Sequence, residues 1–341
     1  MIRRFSESLI TSSGALVAII GILSLAPIPA AGQTSKTAST SKTWTPPRTA
    51  DGHPDLQGIW SNAIITPLER PAELAGKPTL TAQEAAAYEK QTVARNNVDH
   101  RDAVGTEADV ARAYNDAWYD RGSKVVKTLR TSLIVDPPDG RIPPLTPEAQ
   151  RRMAERARAR DLHPADGPED RALNERCILT ATTGPPMLPG PYNNNYQMVQ
   201  TPGAILIFTE MVHDTRIIAM DGRPHLPQSV RQWKGDSIGH WEGDTLVVDT
   251  TNFTDQTNFR GSGENLHLVE RFTRIDADTL LYQFTVDDPQ SFTKPWTAAI
   301  ASTKTEGPIL EYACNEGNYG MRNLLSAARA EENKAAGSKS K

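Results

Sequence analysis

Five side chains that could perform acid–base chemistry lie in strand-like stretches of apolar sequence. A carboxylate among apolar neighbours has a raised pKa and becomes useful as a general acid or base, and histidine changes its charge near neutral pH. The candidate catalytic residues are Glu210, His240, Asp249, His267 and Glu270. The pattern predicts acid–base chemistry on a small organic molecule, by isomerisation, elimination or hydrolysis.

A second set of side chains could hold a substrate. Arginine can bind an oxyanion, and tryptophan or tyrosine can line a pocket for an aromatic or sugar-like ligand. The candidate substrate-binding residues are Arg216, Arg271, Trp241, Tyr282 and Trp296. Each has a structural alternative, because Glu210 could pair with Arg216, Glu270 could pair with Arg271, and the aromatic rings could be core residues.

The sequence predicts no cofactor. It has no Walker or dinucleotide-binding signature. His240 and Glu242 make a poor metal motif because Glu242 falls in a turn, and the remaining histidines are scattered one per element. A metal ion held by histidines converging from several strands is the open alternative.

The stretch from Gly235 to Thr251 is predicted to be a β-hairpin that positions two of the candidates. Glu242-Gly243-Asp244 forms the turn, and side chains alternate between the two faces of each strand. Because apolar residues occupy both faces, the hairpin is expected in the middle of a sheet that is covered on both sides. His240 and Asp249 would then be polar groups in an apolar wall.

Alternation also places the two glutamates among apolar neighbours. Glu210 follows Leu206 and Phe208 at every second position, and Glu270 lies between Leu268 and Phe272. From Tyr196 onwards, short strands separated by polar turns follow one another at regular intervals. This pattern predicts a mainly β protein, an antiparallel meander that closes into a lipocalin-like β-barrel with a few helices.

Composition divides the chain into four parts. Residues 1–32 have the basic start, apolar run and small residues of a signal peptide, and 33–48 form a polar, flexible linker. Residues 49–320 are predicted to be one β-barrel domain with helical insertions and a long Pro-rich loop at 161–194. A helix and basic tail follow at 321–341. A secreted or periplasmic protein is expected, without a transmembrane segment after signal removal.

The charge and the cysteines limit the partners and the compartment. The formal net charge is −4, and no basic cluster is interleaved with aromatic residues, so nucleic acid is not an expected partner. The two cysteines, Cys177 and Cys314, are expected to form a disulfide, because an even pair in an exported protein favours one over a metal site or a nucleophile.

Several blocks of the sequence resemble those of a large family of uncharacterised secreted bacterial proteins. The blocks are DGHPDLQGIW at 51–60, TSLIVDPPDGRIPPLTPEA at 131–149, MDGRPH at 220–225, GDSIGHWEGDTLVVDTTNF at 235–253 and PWT at 295–297. The resemblance covers nearly all of the chain after the signal and implies a shared fold and export, but no activity. Asn315 stands where a histidine is expected after the second cysteine. Gly58-Ile59-Trp60 is also similar to the first strand of lipocalin-type barrels.

Three functional hypotheses follow. The first is a secreted enzyme that acts on a small molecule without a nucleotide cofactor. The second is a non-catalytic small-ligand-binding barrel, and the third is a cell-envelope interaction protein. A wet pocket with titratable groups would favour the first, a dry apolar cavity the second, and a barrel filled by its own side chains the third.

Overall fold

A computed structural model describes residues 44–99, 105–107, 109 and 116–339. The predicted signal peptide and residues 33–43 of the predicted linker lie outside these ranges. The strands are β1 (Gly58–Ser61), β2 (Ile134–Asp136), β3 (Asn195–Gln200), β4 (Ala204–Thr209), β5 (Asp214–Ala219), β6 (Asp236–Glu242), β7 (Thr245–Thr251), β8 (His267–Asp276), β9 (Thr279–Asp287) and β10 (Trp296–Thr305). The helices are α1 (Ala82–Asn96), α2 (Pro147–Leu162) and α3 (Tyr319–Lys339).

Nine of these strands form a closed barrel. The order around it is β1-β3-β4-β5-β6-β7-β8-β9-β10, and β1 pairs with β10 to close the ring. Strand β2 pairs with β10 outside the ring. The prediction of a mainly β, lipocalin-like barrel is therefore confirmed.

One junction of the barrel is parallel, unlike the predicted meander. β5 and β6 run in the same direction and share a single paired position, Ala219 with Ile238. Residues 220–235, here called the crossover, carry the chain back along the barrel between these strands. Gly239 permits the close approach at the junction, because a Cβ there would lie 2.5 Å from the Met220 sulfur.

Alternating burial defines the inside of the barrel. On β8 the inward residues are Leu268, Glu270, Phe272 and Arg274, and on β9 they are Leu280, Tyr282, Phe284 and Val286. Trp60 and Trp296 are also fully buried in this core. The interior of the barrel is thus occupied by side chains, many of them aromatic.

Part of the predicted Pro-rich loop also lies inside the barrel. Residues 182–188 (TTGPPML), here called the plug, are buried throughout, and Met187 and Leu188 belong to the same hydrophobic core as the strands. The Met187 amide donates a hydrogen bond to the hydroxyl of the inward-facing Tyr282, with an N–O distance of 3.1 Å. The chain itself therefore occupies the space that an open barrel would offer to a ligand.

A disulfide joins the loop that carries the plug to the C-terminal segment. Cys177 and Cys314 are bonded across 137 residues of sequence, with their Cα atoms 5.7 Å apart, which confirms the predicted pairing. Among the residues that the structure describes, no helix has the length and apolar character needed to cross a bilayer.

The end of the predicted linker is in contact with the barrel. Arg48 pairs with Asp244 in the β6–β7 turn at 2.6 Å, and it forms an isolated β-bridge with Pro54. Arg48, the last residue of the predicted linker, therefore lies against the barrel.

Candidate functional site

Asp249 and His267, two of the predicted catalytic residues, meet on the outer face of the barrel. Asp249 lies on β7 and His267 at the start of β8, and the Oδ2 atom of Asp249 is 2.8 Å from Nε2 of His267. The other carboxylate oxygen, Oδ1, is 2.9 Å from Nε2 of His225. One carboxylate thus binds two imidazole rings.

A second carboxylate continues the chain of contacts on the far side of His225. Nδ1 of His225 lies 3.1 Å from Oδ2 of Asp236, and the Arg223 guanidinium donates two hydrogen bonds to the same carboxylate at 2.6 and 3.0 Å. We call Arg223, His225, Asp236, Asp249 and His267 the outer cluster. Basic and acidic side chains alternate along the cluster from Arg223 to His267.

The crossover brings two members of the outer cluster to the strands. Arg223 and His225 follow a turn at Asp221-Gly222, and Asn252 fixes the segment by donating a hydrogen bond from Nδ2 to the Leu226 carbonyl at 2.8 Å. Alternation along β7 turns Asp249 outward, while Val248 and Thr250 face the core. The cluster therefore requires both the strand pattern and the parallel junction.

The electrostatics of the cluster follow from these contacts. Burial alone would raise the pKa of Asp236, yet hydrogen bonds from Arg223, the Leu226 amide and His225 hold that pKa at about 2. The hydrogen bond from His267 lowers the pKa of Asp249 and outweighs partial burial. The same bond raises the pKa of His267, and the charge of Asp287 adds to the shift.

His267 is the member of the cluster best placed to exchange a proton with a bound molecule. Its side chain is 39% exposed. Nε2 is occupied by Asp249, and Nδ1 makes no hydrogen bond within the described part of the chain. A carboxylate that orients one ring nitrogen while the other remains accessible is the arrangement required for general acid–base catalysis.

Glu270, another predicted catalytic residue, lies inside the barrel and is fully buried. Both of its oxygens accept hydrogen bonds from Arg216, the Nη1–Oε1 distance being 3.0 Å, and the Tyr282 hydroxyl donates to Oε1 at 2.7 Å. Arg216 also donates to Ser237 and Thr250. The predicted alternatives, Arg216 with Glu210 and Arg271 with Glu270, are therefore wrong, since Arg216 and Glu270 pair with each other.

The interior network contains a tyrosine that stays protonated. Burial raises the pKa of Tyr282 well above its usual value, and the negative charge of Glu270 raises it further. Trp296 is fully buried and stacks on Phe259 with ring centroids 6.0 Å apart. Tyr282 and Trp296 therefore lie in the core in this state, although we predicted that they bind substrate.

Glu210 is buried for a different reason from the one predicted. The inward residues of β4 are Ile205, Ile207 and Thr209, so strict alternation would place Glu210 outside. The chain leaves the strand after Thr209, and Glu210 adopts a helical backbone conformation at the start of a turn. Its Oε1 accepts a hydrogen bond from the Leu310 amide at 3.2 Å, while Oε2 is buried without a hydrogen-bond partner in the described residues.

The remaining candidates lie away from both networks. His240 is exposed, contrary to the predicted apolar wall, and its Nε2 is 3.2 Å from Glu242, which also pairs with Arg271 at 2.7 Å. The difference arises on β6, where Ile238 and Glu242 on the same face are also not buried, although Val247 opposite His240 on β7 is. The ring of Trp241 stacks on His53 with centroids 4.9 Å apart.

Sequence reasoning missed three members of the outer cluster, namely Arg223, His225 and Asp236. Arg223 and His225 lie in the crossover, which has no periodicity that would assign its side chains to a face, and Asp236 is the first residue of β6. The signal that could have found them is the density of charged groups and histidine in a short Gly- and Pro-containing segment next to a strand.

A metal ion is not indicated by the residues that the structure describes. They contain no group of three or more histidine, cysteine, aspartate or glutamate side chains arranged to hold one. In the outer cluster the two Nε2 atoms are directed at Asp249 oxygens instead.

The chain was compared with family models, with curated proteins and with solved structures, and no match was found in any of the three. The fold and the outer cluster therefore carry the functional argument by themselves.

The raised pKa of His267 gives a pH-dependent prediction. Charged His267 contributes stability that is fully present below its unfolded pKa of about 6.5 and is lost as the pH rises through the higher folded value. We therefore expect His267→Gln to reduce the free energy of unfolding more at about pH 5.5 than at about pH 9. Asp249 remains ionised at both, because its pKa is lowered. Urea unfolding at the two pH values measures the difference, and equal losses would contradict the pairing.

Proposed function

We propose that the protein is an enzyme that acts on a small organic molecule by acid–base chemistry at the outer cluster. The observation that carries the proposal is the position of Asp249 between two imidazole rings, one of which, His267, keeps an accessible ring nitrogen. The protonated ring of His267 acts as a general acid toward an oxygen or nitrogen of the substrate. Hydrolysis and elimination both use such a proton donor.

Asp249 and His225 are positioning residues in this proposal. Asp249 fixes the orientation of the His267 ring and stabilises its protonated form. His225 fixes the second oxygen of Asp249 and connects it to Asp236, which the Arg223 guanidinium holds in turn. These contacts keep the proton donor in one geometry before a substrate arrives, and such preorganisation lowers the barrier of a reaction.

Of the three hypotheses, the filled interior by itself favours a cell-envelope interaction protein, so an enzyme must carry its chemistry on the outer face of the barrel. Glu270 has no exposed surface, and its hydrogen bonds come from Arg216 and Tyr282. A buried carboxylate with satisfied partners is a structural group, whereas His225, Asp249 and His267 are each about a third exposed. The proposal therefore keeps Asp249 and His267 as site residues and assigns Glu270 to the core.

We also propose that the protein is exported, to the periplasm or beyond the cell. The disulfide between Cys177 and Cys314 supports this location, because such bonds persist in oxidising compartments.

The test is a turnover screen with defined chromogenic probes, namely p-nitrophenyl acetate, p-nitrophenyl glycosides and p-nitrophenyl phosphate. For any probe turned over, we expect His267→Gln to reduce kcat about 10²- to 10⁴-fold, the usual contribution of a general acid. We expect the rate to fall as the pH rises through the raised pKa of His267.

His163→Gln is the matched control. His163 is an exposed histidine that contacts a carboxylate, Asp166, at 2.7 Å, but it lies at the end of α2, outside the outer cluster. Its replacement should leave turnover unchanged. No turnover of any probe, or turnover that survives His267→Gln, would count against acid–base catalysis at the outer cluster. The cluster would then have only the structural role of holding the crossover against the strands.

A further inference from the structure

The plug is a compact loop whose two ends lie close together. The Leu188 amide donates to the Ala181 carbonyl at 2.8 Å, and a Cβ on Gly190 would lie 2.4 Å from the Thr182 side chain. Thr183 bonds back to the backbone of Thr180 through its hydroxyl. The loop satisfies these polar groups by itself, without the strands of the barrel.

The contact between the plug and the barrel wall is almost entirely apolar. Met187 and Leu188 are 1% and 4% exposed, and Pro185 and Pro186 have no amide hydrogen to donate. Within the described residues, the bond from the Met187 amide to the Tyr282 hydroxyl is the single hydrogen bond between the plug and the strands. Small ligands bind in protein cavities in the same way, with mostly apolar contacts and a few polar contacts that fix their orientation.

The wall behind the plug is complete without it. Tyr282 donates to Glu270, and Glu270 is bound by Arg216, which also donates to Ser237 and Thr250. If the plug left, this network would lose only the hydrogen bond that the Tyr282 hydroxyl accepts. The departure would expose an apolar surface with one hydroxyl on it and no unpaired charge.

Both flanks of the plug are anchored outside it. Cys177 is bonded to Cys314, and the Asn194 side chain accepts from the Gly190 amide at 2.7 Å and donates to the Asp120 carbonyl. An opening confined to the loop between these anchors would leave the contacts of both flanks intact.

We propose that the plug is a replaceable occupant, and that the space it fills is a binding site for an apolar molecule with one N–H or O–H donor in the place of the Met187 amide. The site lies inside the barrel, so it is separate from the outer cluster and does not depend on the proposed enzyme. Binding in the wild-type protein is weakened by the small fraction of molecules in which the plug is out.

Hydrogen exchange on the wild-type protein tests whether the plug opens separately. We expect the amides of Met187 and Leu188 to exchange through a local opening, at least tenfold faster than the amides of Leu268 and Phe272, which are equally buried. Exchange of the plug amides at the rate of these β8 amides would show that the plug leaves only when the barrel unfolds, and it would overturn the proposal.

Binding of N-phenyl-1-naphthylamine, a neutral apolar probe with one N–H group, tests the site directly. We expect the double variant Met187→Gly, Leu188→Gly to bind one equivalent at least tenfold more tightly than the wild type. A synthetic peptide of sequence TTGPPML should displace the probe. Adding Tyr282→Phe to the double variant should weaken binding about threefold to tenfold, the usual effect of one lost hydrogen bond.

Leu162→Gly is the control for the loss of a large apolar side chain, because Leu162 is exposed at the end of α2, away from the plug. It should bind the probe no better than the wild type. A folded double variant that fails to bind, or a peptide that fails to compete, would overturn the proposal. If the double variant does not fold, the hydrogen-exchange result decides.

Discussion

Replacing Glu270 with glutamine is expected to lower the free energy of unfolding by about 3–5 kcal/mol. Glu270 is fully buried and accepts two hydrogen bonds from Arg216, whose side chain is 4% exposed. The substitution leaves the arginine charge in the core without its counterion, and the desolvation of that charge is no longer offset. Urea unfolding of the variant and the parent under identical conditions measures the loss.

Two further variants separate the charge from the shape of the side chain. Glu242→Gln removes an exposed glutamate that pairs with Arg271 at 2.7 Å, and we expect a loss below about 1 kcal/mol. The double variant Arg216→Met, Glu270→Gln should recover much of the stability, because no buried charge remains. A gain in stability for Glu270→Gln alone would instead identify a carboxylate kept for function at a cost in stability.

Removing the disulfide should have an effect of similar size. For a bond that spans 137 residues, restriction of the unfolded chain gives about 5 kcal/mol as an upper figure, and about 2–4 kcal/mol is typical. We therefore expect the double variant Cys177→Ser, Cys314→Ser to unfold at a clearly lower urea concentration than the oxidised wild type.

A reductant provides the matching control for this prediction. Reducing the wild-type protein should bring its unfolding midpoint to that of the double serine variant, and the same reductant should leave the variant unchanged. A difference below about 1 kcal/mol between the free energies of unfolding of the oxidised and reduced wild type would contradict the prediction. It would show that the disulfide does not restrict the conformations of the unfolded chain.

Alternation of side chains predicted the residues that face inward where the strands are regular. On β8 it placed Glu270 with Leu268 and Phe272, and the structure buries all three. It did not predict the partner of Glu270. Arg216 lies 54 residues earlier on β5, and its guanidinium meets Glu270 in the interior. The face of a strand on which a side chain lies can be predicted from the two-residue period of the sequence. A contact between two strands across the barrel depends on how the sheet closes.

The misplaced candidates mark the points where the chain leaves regular structure. Glu210 was predicted to share the face of Leu206 and Phe208. This was wrong because β4 ends at Thr209, the residue before Glu210, and Val212 then takes a positive φ of 64°. His225 was missed because it lies in the crossover. Only the parallel junction between β5 and β6 places this segment against Asp249. The positions of two of the five cluster members, Arg223 and His225, are therefore set by the topology, which local sequence patterns do not contain.

The closing pair of the barrel also determines when the protein can fold. β1 begins at Gly58 and lies between β3 and β10, and Ile59 pairs with Thr305. The first strand therefore cannot obtain its second partner until synthesis has reached Thr305. Contacts so distant in sequence slow folding, because the entropy of closing a long loop is lost before the contact forms. A barrel with this connectivity closes late, only after its last strand, β10, has become available.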